Sequence, residues 1–189
     1  MPRIHLPTPE ELDVEQRAVY DKVVSGPRGR LRGPLRVALY NPALADCWQA
    51  LGAQLRYSTQ LPPALSELAI LVTARHCNSP FEWDAHRPEA ERGGLPQAII
   101  EAVLARTTPA AMDTRQSAVY HYALELNRSK SVSDVTYAAA LALFDARTLV
   151  ELTALVGYYT LVAMTLNAHE IPLPDGVVPA FPLPQNGGA

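Results

Sequence analysis

The apolar positions of this chain fall into a series of runs, and capping residues and prolines open most of them. No stretch alternates apolar and polar residues with β-branched side chains, so we expect no sheet. The pattern instead predicts an all-α protein of about eight helices. Their approximate bounds are 8–24, 41–58, 61–77, 79–93, 95–103, 113–128, 133–144 and 147–168.

Several of these starts share one local signal, a Ser, Thr or Asn followed directly by proline, as in Thr8-Pro9, Asn41-Pro42 and Ser79-Pro80. A capping side chain and a proline at the first helical position both favour a helix start. The segment Gly26–Gly29 breaks the first helix, and we expect a basic loop to follow it.

The longest uncharged run, Leu152–His169, is apolar on nearly every side of a helix. A membrane span needs ~20 mostly apolar residues, and this run is shorter and contains several polar groups. We therefore expect a helix buried inside a globular protein or an oligomer, and no membrane partner. Association would cover the remaining apolar surface, so we predict a homo-oligomer.

Five prolines follow Ile171, a composition that cannot form a helix. We expect an extended tail that lies on the surface or is loose at its end. The predicted organisation is one helical domain over residues 1–170 and a proline-rich tail over residues 171–189.

Composition narrows the class of protein. The chain has 189 residues, of which 48% are hydrophobic and 19% charged, and its net charge is −3. Those values indicate one globular domain and no basic footprint for nucleic acid. Two isolated cysteines and the absence of an apolar run at the N-terminus favour a reduced, cytoplasmic protein without a signal peptide.

Three ionisable residues form the most informative pattern. Glu82 and His86 are four residues apart, so they share one face of a helix. Glu67 lies on the preceding helix, which a short turn at Asn78 would fold back against them. A carboxylate that is bonded to an imidazole fixes its tautomer and raises its basicity. We therefore predict that the three side chains meet and transfer protons.

Structural interpretations of the same residues remain open at this point. Ser79 and Glu82 match a capping box, so Glu82 could only close the helix start. His86 could be a structural group, and Glu67 could be exposed or could pair with Arg75. Trp83 is most simply a core residue.

The cysteines show no redox pair, because Cys47 and Cys77 lie on different predicted helices. Cys77 is near a helix start, where a thiol pKa can fall, but a small buried and inert thiol is the expectation for both. The chain has no zinc-type cysteine spacing, and we expect no metal site.

Taken together, three stretches resemble the carboxymuconolactone decarboxylase family of the AhpD-like alkylhydroperoxidase superfamily. They are Leu61-Pro-Pro-x-x-x-Glu67-Leu-Ala-Ile-Leu, Phe81-Glu-Trp-x-x-His86 and Glu91-x-Gly-Gly-Leu95, and the final helix from Leu149 to Asn167 is also similar. The resemblance covers roughly residues 35–174. It implies an all-α fold that assembles as a trimer or hexamer, with the site near subunit contacts.

The resemblance also implies a chemistry. His86, Glu82 and Glu67 are then the catalytic residues of a carboxy-lyase or isomerase that acts on a small carboxylated, lactone-like compound. No cofactor is needed when the substrate itself delocalises the charge left by the departing CO₂. Side chains that could contact such a substrate are Arg75, Arg87 and Trp83.

Two other functions remain open. In the peroxidase branch of the superfamily, a Cys-x-x-Cys pair lies between the glutamate and the histidine, and here those positions hold Ser79 and Glu82. Peroxidase chemistry would then depend on Cys77 as a lone redox thiol. Alternatively, the chain is a catalytically idle helical assembly or binding module in which Glu82 and His86 are structural.

Overall fold

Helices account for most of the chain, as the sequence predicts. The computed structural model describes residues 2–182, and within them nine α-helices form and no strand occurs. The helices are α1 Val14–Ser25, α2 Pro34–Ala38, α3 Pro42–Tyr57, α4 Pro63–His76, α5 Pro80–Arg92, α6 Gln97–Leu104, α7 Thr114–Ser129, α8 Asp134–Leu141 and α9 Ala146–Ala168. The predicted all-α fold is therefore confirmed.

Most of the predicted helix starts are also found. Helices α3, α4 and α5 each begin with proline at the first helical position. The Asn41 side chain accepts a hydrogen bond of 3.1 Å from the Leu44 amide, and Asp113 caps α7 through the Gln116 amide at 2.8 Å. These bonds satisfy amide groups that a helix leaves unpaired at its start.

The predicted start of the first helix is wrong. The Thr8-Pro9 signal produces only a 3₁₀ turn, Pro9–Glu11, closed by a 2.6 Å bond from the Thr8 amide to Glu11. Leu12 then adopts an extended conformation, and α1 begins after Asp13, whose carboxylate accepts from the Gln16 amide. A second complete capping box in the same segment therefore determines where the helix begins.

The loop expected after Gly29 contains a further helix. Gly33 has a positive φ of 54°, and the chain then enters the short helix α2, which includes Arg36. Glycine adopts this conformation without steric cost, and Pro34 provides the fixed φ of a helix start. The structure therefore has one helix more than the sequence predicts.

The elements pack as two separate units. Within the described residues, the first consists of 2–59 together with Thr165–Pro172, and the second consists of Gln60–Met164 together with 173–182. In the first unit α3 contacts both α1 and α2. In the second unit α4 contacts α5, α6 and α7, and ten of its fourteen residues are buried. The central position of α4 explains its nearly continuous apolar sequence.

The proline-rich segment is irregular from Ile171 to Pro182, as predicted. It is not loose at Phe181, which is 6% exposed and packs edge-to-face against Trp83 at 6.0 Å. The rest of the predicted tail, residues 183–189, lies outside the described residues.

Helix α9 has one buried and one exposed side. Leu152 and Leu155 are fully buried, whereas Val150 is 70% and Met164 61% exposed. By length and composition α9 could cross a membrane, but half of its most apolar window is buried inside the protein. A core helix of a globular protein meets the same criteria.

The exposed side of α9 generates a test of the predicted homo-oligomer. Gly157 lies on this side, and a Cβ atom added there would meet no atom within 4 Å. We expect Gly157→Lys to leave a single chain folded but to separate the subunits, since an unpaired charge is costly in an apolar contact. Light scattering should then give a multiple of 20.6 kDa for the wild type and a smaller mass for the variant.

Ala98→Lys is the matched control, because Ala98 is an exposed small residue on a different helix, α6. This control should keep the wild-type mass. A wild-type protein that is monomeric at micromolar concentration would contradict the prediction.

Candidate active site

A tight turn folds α5 back against α4. After the end of α4, Asn78 adopts the left-handed conformation with φ of 49°, which asparagine tolerates better than most residues. Ser79 then donates its backbone N–H to the Ala74 carbonyl at 2.9 Å. The Asn78 side-chain oxygen accepts hydrogen bonds from Arg75 at 3.0 Å and from Arg106 at 2.6 Å. These bonds fix the register of the two helices.

The hairpin brings together the three ionisable residues that the sequence singles out. His86 Nδ1 is 2.7 Å from Glu67 Oε2, and His86 Nε2 is 3.4 Å from Glu82 Oε2. All three residues are buried, with exposed fractions of 4%, 7% and 4% for His86, Glu67 and Glu82. The predicted meeting of these side chains is therefore found, and their catalytic role stays a prediction.

The two glutamates determine the charge of His86. Burial by itself lowers the pKa of this imidazole, but Glu67 and Glu82 outweigh that effect and raise the pKa to about 9. A pKa of about 9 favours the imidazolium form at neutral pH, with Nδ1–H donating to Glu67 and Nε2 in a 3.4 Å ion-pair contact with Glu82. A buried cation of this kind can donate a proton in a reaction near pH 7.

The capping-box interpretation of Glu82 is wrong. Ser79 occupies the N-cap position, but its side chain makes no capping bond, and its backbone N–H is already used by Ala74. Because that donor is occupied, the Glu82 side chain is left to face His86. Glu67, which the sequence left as either exposed or paired with Arg75, is instead the closest partner of His86.

Two buried polar atoms, one at the N-cap of α5 and one on the helix itself, remain without partners. In the described residues, neither Ser79 Oγ nor Trp83 Nε1 has a hydrogen bond, although these residues are only 0% and 1% exposed. An unsatisfied buried donor is costly, and native proteins contain few of them. Ser79 is the extended N-cap residue of α5, three residues before Glu82, so its hydroxyl is an unused hydrogen-bonding group at the start of the helix that carries Glu82 and His86.

Sequence reasoning missed one residue of the site. The Tyr159 ring of α9 lies edge-on to the His86 ring, with 4.8 Å between their centroids. Tyr159 is 3% exposed and lies in a largely apolar stretch of the helix, so nothing in the local pattern marks it as a site residue. Its place in the Gly157-Tyr158-Tyr159 stretch of the family resemblance was the only available signal.

The three proposed substrate contacts lie in different environments. Arg75 donates to the Leu104 carbonyl at 2.7 Å and lies over the Phe181 ring at 4.5 Å. Arg87 is exposed and forms an ion pair with Glu91 at 3.0 Å. Trp83 is a core residue, as its structural interpretation predicts. Within the part of the chain that the structure describes, none of these three forms a hydrogen bond or ion pair with Glu67, Glu82 or His86.

The cysteines differ from the expectation of two buried thiols. Cys47 is exposed, and Cys77 is partly buried. Burial raises the pKa of the Cys77 thiol, and the nearby Lys130 and Thr160 offset only part of that effect. The fall in pKa that a nearby helix start can cause is therefore not found.

Among residues 2–182, no three His, Cys, Asp or Glu side chains are placed to hold a metal ion. The cluster of Glu67, Glu82 and His86 is thus a set of hydrogen-bonded acid–base groups in this structure.

Comparison with protein families supports the resemblance drawn from the sequence. Residues 42–125 match the model of the carboxymuconolactone decarboxylase family, a segment that includes both glutamates and His86. The resemblance is confirmed over that segment. No curated protein is significantly similar to this chain in sequence.

Solved structures share the fold at low sequence identity. An uncharacterized peroxidase-related protein from Silicibacter sp. TM1040 is 17% identical, with a TM-score of 0.76 and coverage of 92% of each chain. An AhpD-core, peroxidase-related protein from Ralstonia eutropha JMP134 is 16% identical, with a TM-score of 0.76 over 92% of this chain and 93% of its own. A putative AhpD antioxidant defence protein from Agrobacterium tumefaciens is 17% identical, with a TM-score of 0.65 over 76% of this chain and 99% of its own. These likenesses confirm the AhpD-like fold.

The raised pKa of His86 predicts that stability decreases in mildly alkaline solution. The imidazole has a pKa of 6.5 when unfolded and about 9 when folded. Its protonation therefore stabilises the protein fully below about pH 6.5, and this contribution is lost as the pH rises through 9. At ~1.4 kcal/mol for each pKa unit, the free energy of unfolding should fall by up to roughly 3 kcal/mol.

Urea unfolding at about pH 6 and about pH 9.5 measures this change. His86→Gln should abolish the decrease. His121→Gln, which removes an exposed imidazole on α7 by the same substitution, should keep it. Equal wild-type stability at the two pH values would contradict the assignment of a buried imidazolium.

Proposed function

We propose that this chain catalyses the decarboxylation or isomerisation of a small carboxylated, lactone-like compound, with His86 as the proton donor. The observation that carries the proposal is the buried His86 imidazole held between Glu67 and Glu82. The matching family model supports the same class of reaction.

The two glutamates have different roles in this proposal. Glu67 makes the shorter contact, 2.7 Å to Nδ1, and therefore orients the ring and sets its protonation state. Glu82 is 3.4 Å from Nε2, so the second N–H is held less tightly. This N–H is the one that we expect to turn toward a substrate.

The reaction balances without a redox step. Cleavage of the C–C bond to a carboxylate releases CO₂ and leaves an electron pair, which a conjugated carbonyl stabilises as an enolate. The imidazolium of His86 then donates its proton to that carbon and becomes neutral, and solvent returns the proton. An isomerisation uses the same donor after proton abstraction instead of CO₂ loss. Charge-assisted hydrogen bonds to the developing oxyanion would lower the barrier.

Ser79 supplies a candidate contact to the substrate. Its hydroxyl is fully buried and has no partner within the described residues, and Ser79 is the N-cap residue of the helix that carries Glu82 and His86. A substrate oxygen would satisfy this group. Exclusion of water from such a site strengthens every interaction with the reacting charge.

Burial of His86 is also the observation that favours a second candidate, an idle helical assembly. An imidazole that is 4% exposed reaches a substrate only after a covering side chain moves. Tyr159, which packs against His86, is the first such side chain to consider. In this alternative the three residues stabilise the α4–α5 hairpin and catalyse nothing.

A peroxidase is a third candidate, supported by the names of the structural relatives from Silicibacter and Agrobacterium. It would depend on Cys77, because Ser79 and Glu82 occupy the positions of the redox pair. The raised pKa of Cys77 disfavours the thiolate that would attack a peroxide.

We also propose that the protein works as a homo-oligomer, a trimer or hexamer, in the cytoplasm. Its partner is a small-molecule substrate, without a role for nucleic acid or a membrane. The exposed apolar side of α9 supports the oligomer.

Substitution of the three residues tests the proposal. CO₂ release should be measured on a panel of small carboxylated lactones, beginning with carboxymuconolactone. We expect His86→Gln to lower the rate by about a hundredfold or more, the usual effect of removing a catalytic acid. Glu67→Gln should shift the alkaline limb of the pH–rate profile to lower pH, because it removes a carboxylate that raises the pKa of His86.

The double variant His86→Gln, Glu82→Gln should lower the rate of CO₂ release little more than either single variant does. Substitutions of groups that act together have effects that are not additive. Glu89→Gln is the matched control, because Glu89 is a partly exposed carboxylate on the same helix that pairs with Arg92 and not with a residue of the site. Full activity in His86→Gln, or no turnover of any compound, would instead support the idle assembly.

The cysteines should be dispensable for this activity. We expect the double variant Cys47→Ser, Cys77→Ser to keep the wild-type rate, because the proposed proton transfer uses neither thiol. Consumption of an organic hydroperoxide should be measured in parallel. A loss of turnover above about a hundredfold in a folded double variant would contradict the prediction and favour the peroxidase.

A further inference from the structure

A cavity of about 320 Å³ opens where α4, α6 and α7 end. Four basic side chains line it, and they are Arg75, His76, Arg106 and Arg128. None of the residues that line the cavity is acidic, and none is Glu67, Glu82 or His86. The cavity is therefore separate from the proposed proton-transfer site.

Basic residues often lie at helix C-termini, where they compensate the negative end of the helix dipole. Two of the arginines have that role here. Arg75 donates to the Leu104 carbonyl at 2.7 Å, and Arg106 donates to the Arg75 carbonyl at 3.1 Å. Within the described residues, Arg128 forms no such bond, and no carboxylate pairs with any of the three arginines. Helix capping thus accounts for Arg75 and Arg106 but not for Arg128.

The backbone holds these cations close together. Asn78 and Arg106 line the cavity with left-handed φ values of 49° and 59°, and Lys130, just beyond α7, has a φ of 60°. Residues other than glycine adopt this conformation rarely and at a cost. Three neighbouring helix ends therefore carry strained turns, and each turn supplies or orients a positive group.

The basic groups also affect one another. Burial, followed by the charges of Lys130, Arg106 and Arg128, lowers the pKa of His76. Burial and Arg106 lower the pKa of Arg75. A bound anion would relieve this crowding of like charges, because each cation would gain an opposite charge nearby.

The remaining wall of the cavity is apolar and aromatic. Val72, Val103 and Leu124 line it together with Tyr120. A ligand that fits both the basic side and the apolar wall of the cavity has an oxyanion at one end and an apolar or aromatic group at the other.

We propose that this cavity binds a small organic anion, whose carboxylate or phosphate group contacts Arg106 and Arg128 and whose apolar part lies against Val72, Val103 and Leu124. Arginine suits either oxyanion, because its planar guanidinium donates two parallel hydrogen bonds. The proposal does not depend on the proposed function, since Arg106, Arg128 and the apolar wall take no part in the proton transfer by Glu67, Glu82 and His86.

Isothermal titration of the full chain tests the proposal with benzoate and phenyl phosphate, which distinguish a carboxylate from a phosphate ligand. Benzamide is the neutral control, and inorganic phosphate lacks the apolar part. We expect one of the two organic anions to bind more tightly than both controls. Arg128→Gln should weaken that binding by about tenfold or more, and Arg128→Lys by less.

Arg115→Gln is the matched control, because Arg115 lies on the same helix as Arg128 and outside the cavity. This variant and His86→Gln should both bind the anion as the wild type does. Arg128 is exposed, so its substitution should not prevent folding. The proposal is overturned if Arg128→Gln binds as tightly as the wild type, if benzamide or inorganic phosphate binds equally well, or if His86→Gln alone abolishes binding.

Discussion

A single imidazolium ion, enclosed by two carboxyl groups, is the interaction on which the α4–α5 hairpin and its chemistry depend. His86 is 2.7 Å from Glu67 and 3.4 Å from Glu82, and all three are buried. Removal of one partner from a buried ion pair leaves an uncompensated charge, which costs more than the pair contributes. The register of α5 on α4 must therefore keep these groups together, and the bonds around Asn78 hold that register.

The two ends of α4 have opposite chemistry. Glu67, near the start of the helix, serves the acid–base cluster, whereas Arg75 and His76, at its end, line the basic cavity. About two turns of α4, or ~12 Å along its axis, separate Glu67 from Arg75. The buried apolar residues between them keep the helix at the centre of its unit. One rigid element thus carries two groups of charged residues without bringing them into contact.

The relatives of similar fold show why the fold alone does not determine the reaction. The peroxidase-related structures share the fold at 16–17% identity. The family resemblance implies that Ser79 and Glu82 stand where the peroxidase branch has its redox cysteines, and in this chain Glu67 contacts His86 at 2.7 Å. A hydroxyl and a carboxylate donate and accept protons, but they cannot form a disulfide. Function therefore follows the side chains at the site.

The sequence by itself determined the helical class, most helix starts and the identity of the acid–base residues. Proline and capping residues act within one turn, so local pattern suffices for α3 to α7. Only the tertiary structure decided which partner each group takes. Ser79 gave its backbone N–H to Ala74, which freed Glu82 to face His86, and Tyr159 reached the same imidazole from a distant helix. The basic cavity likewise joins residues from three helices whose ends are far apart in sequence. Such contacts depend on packing between elements, which a local pattern does not record.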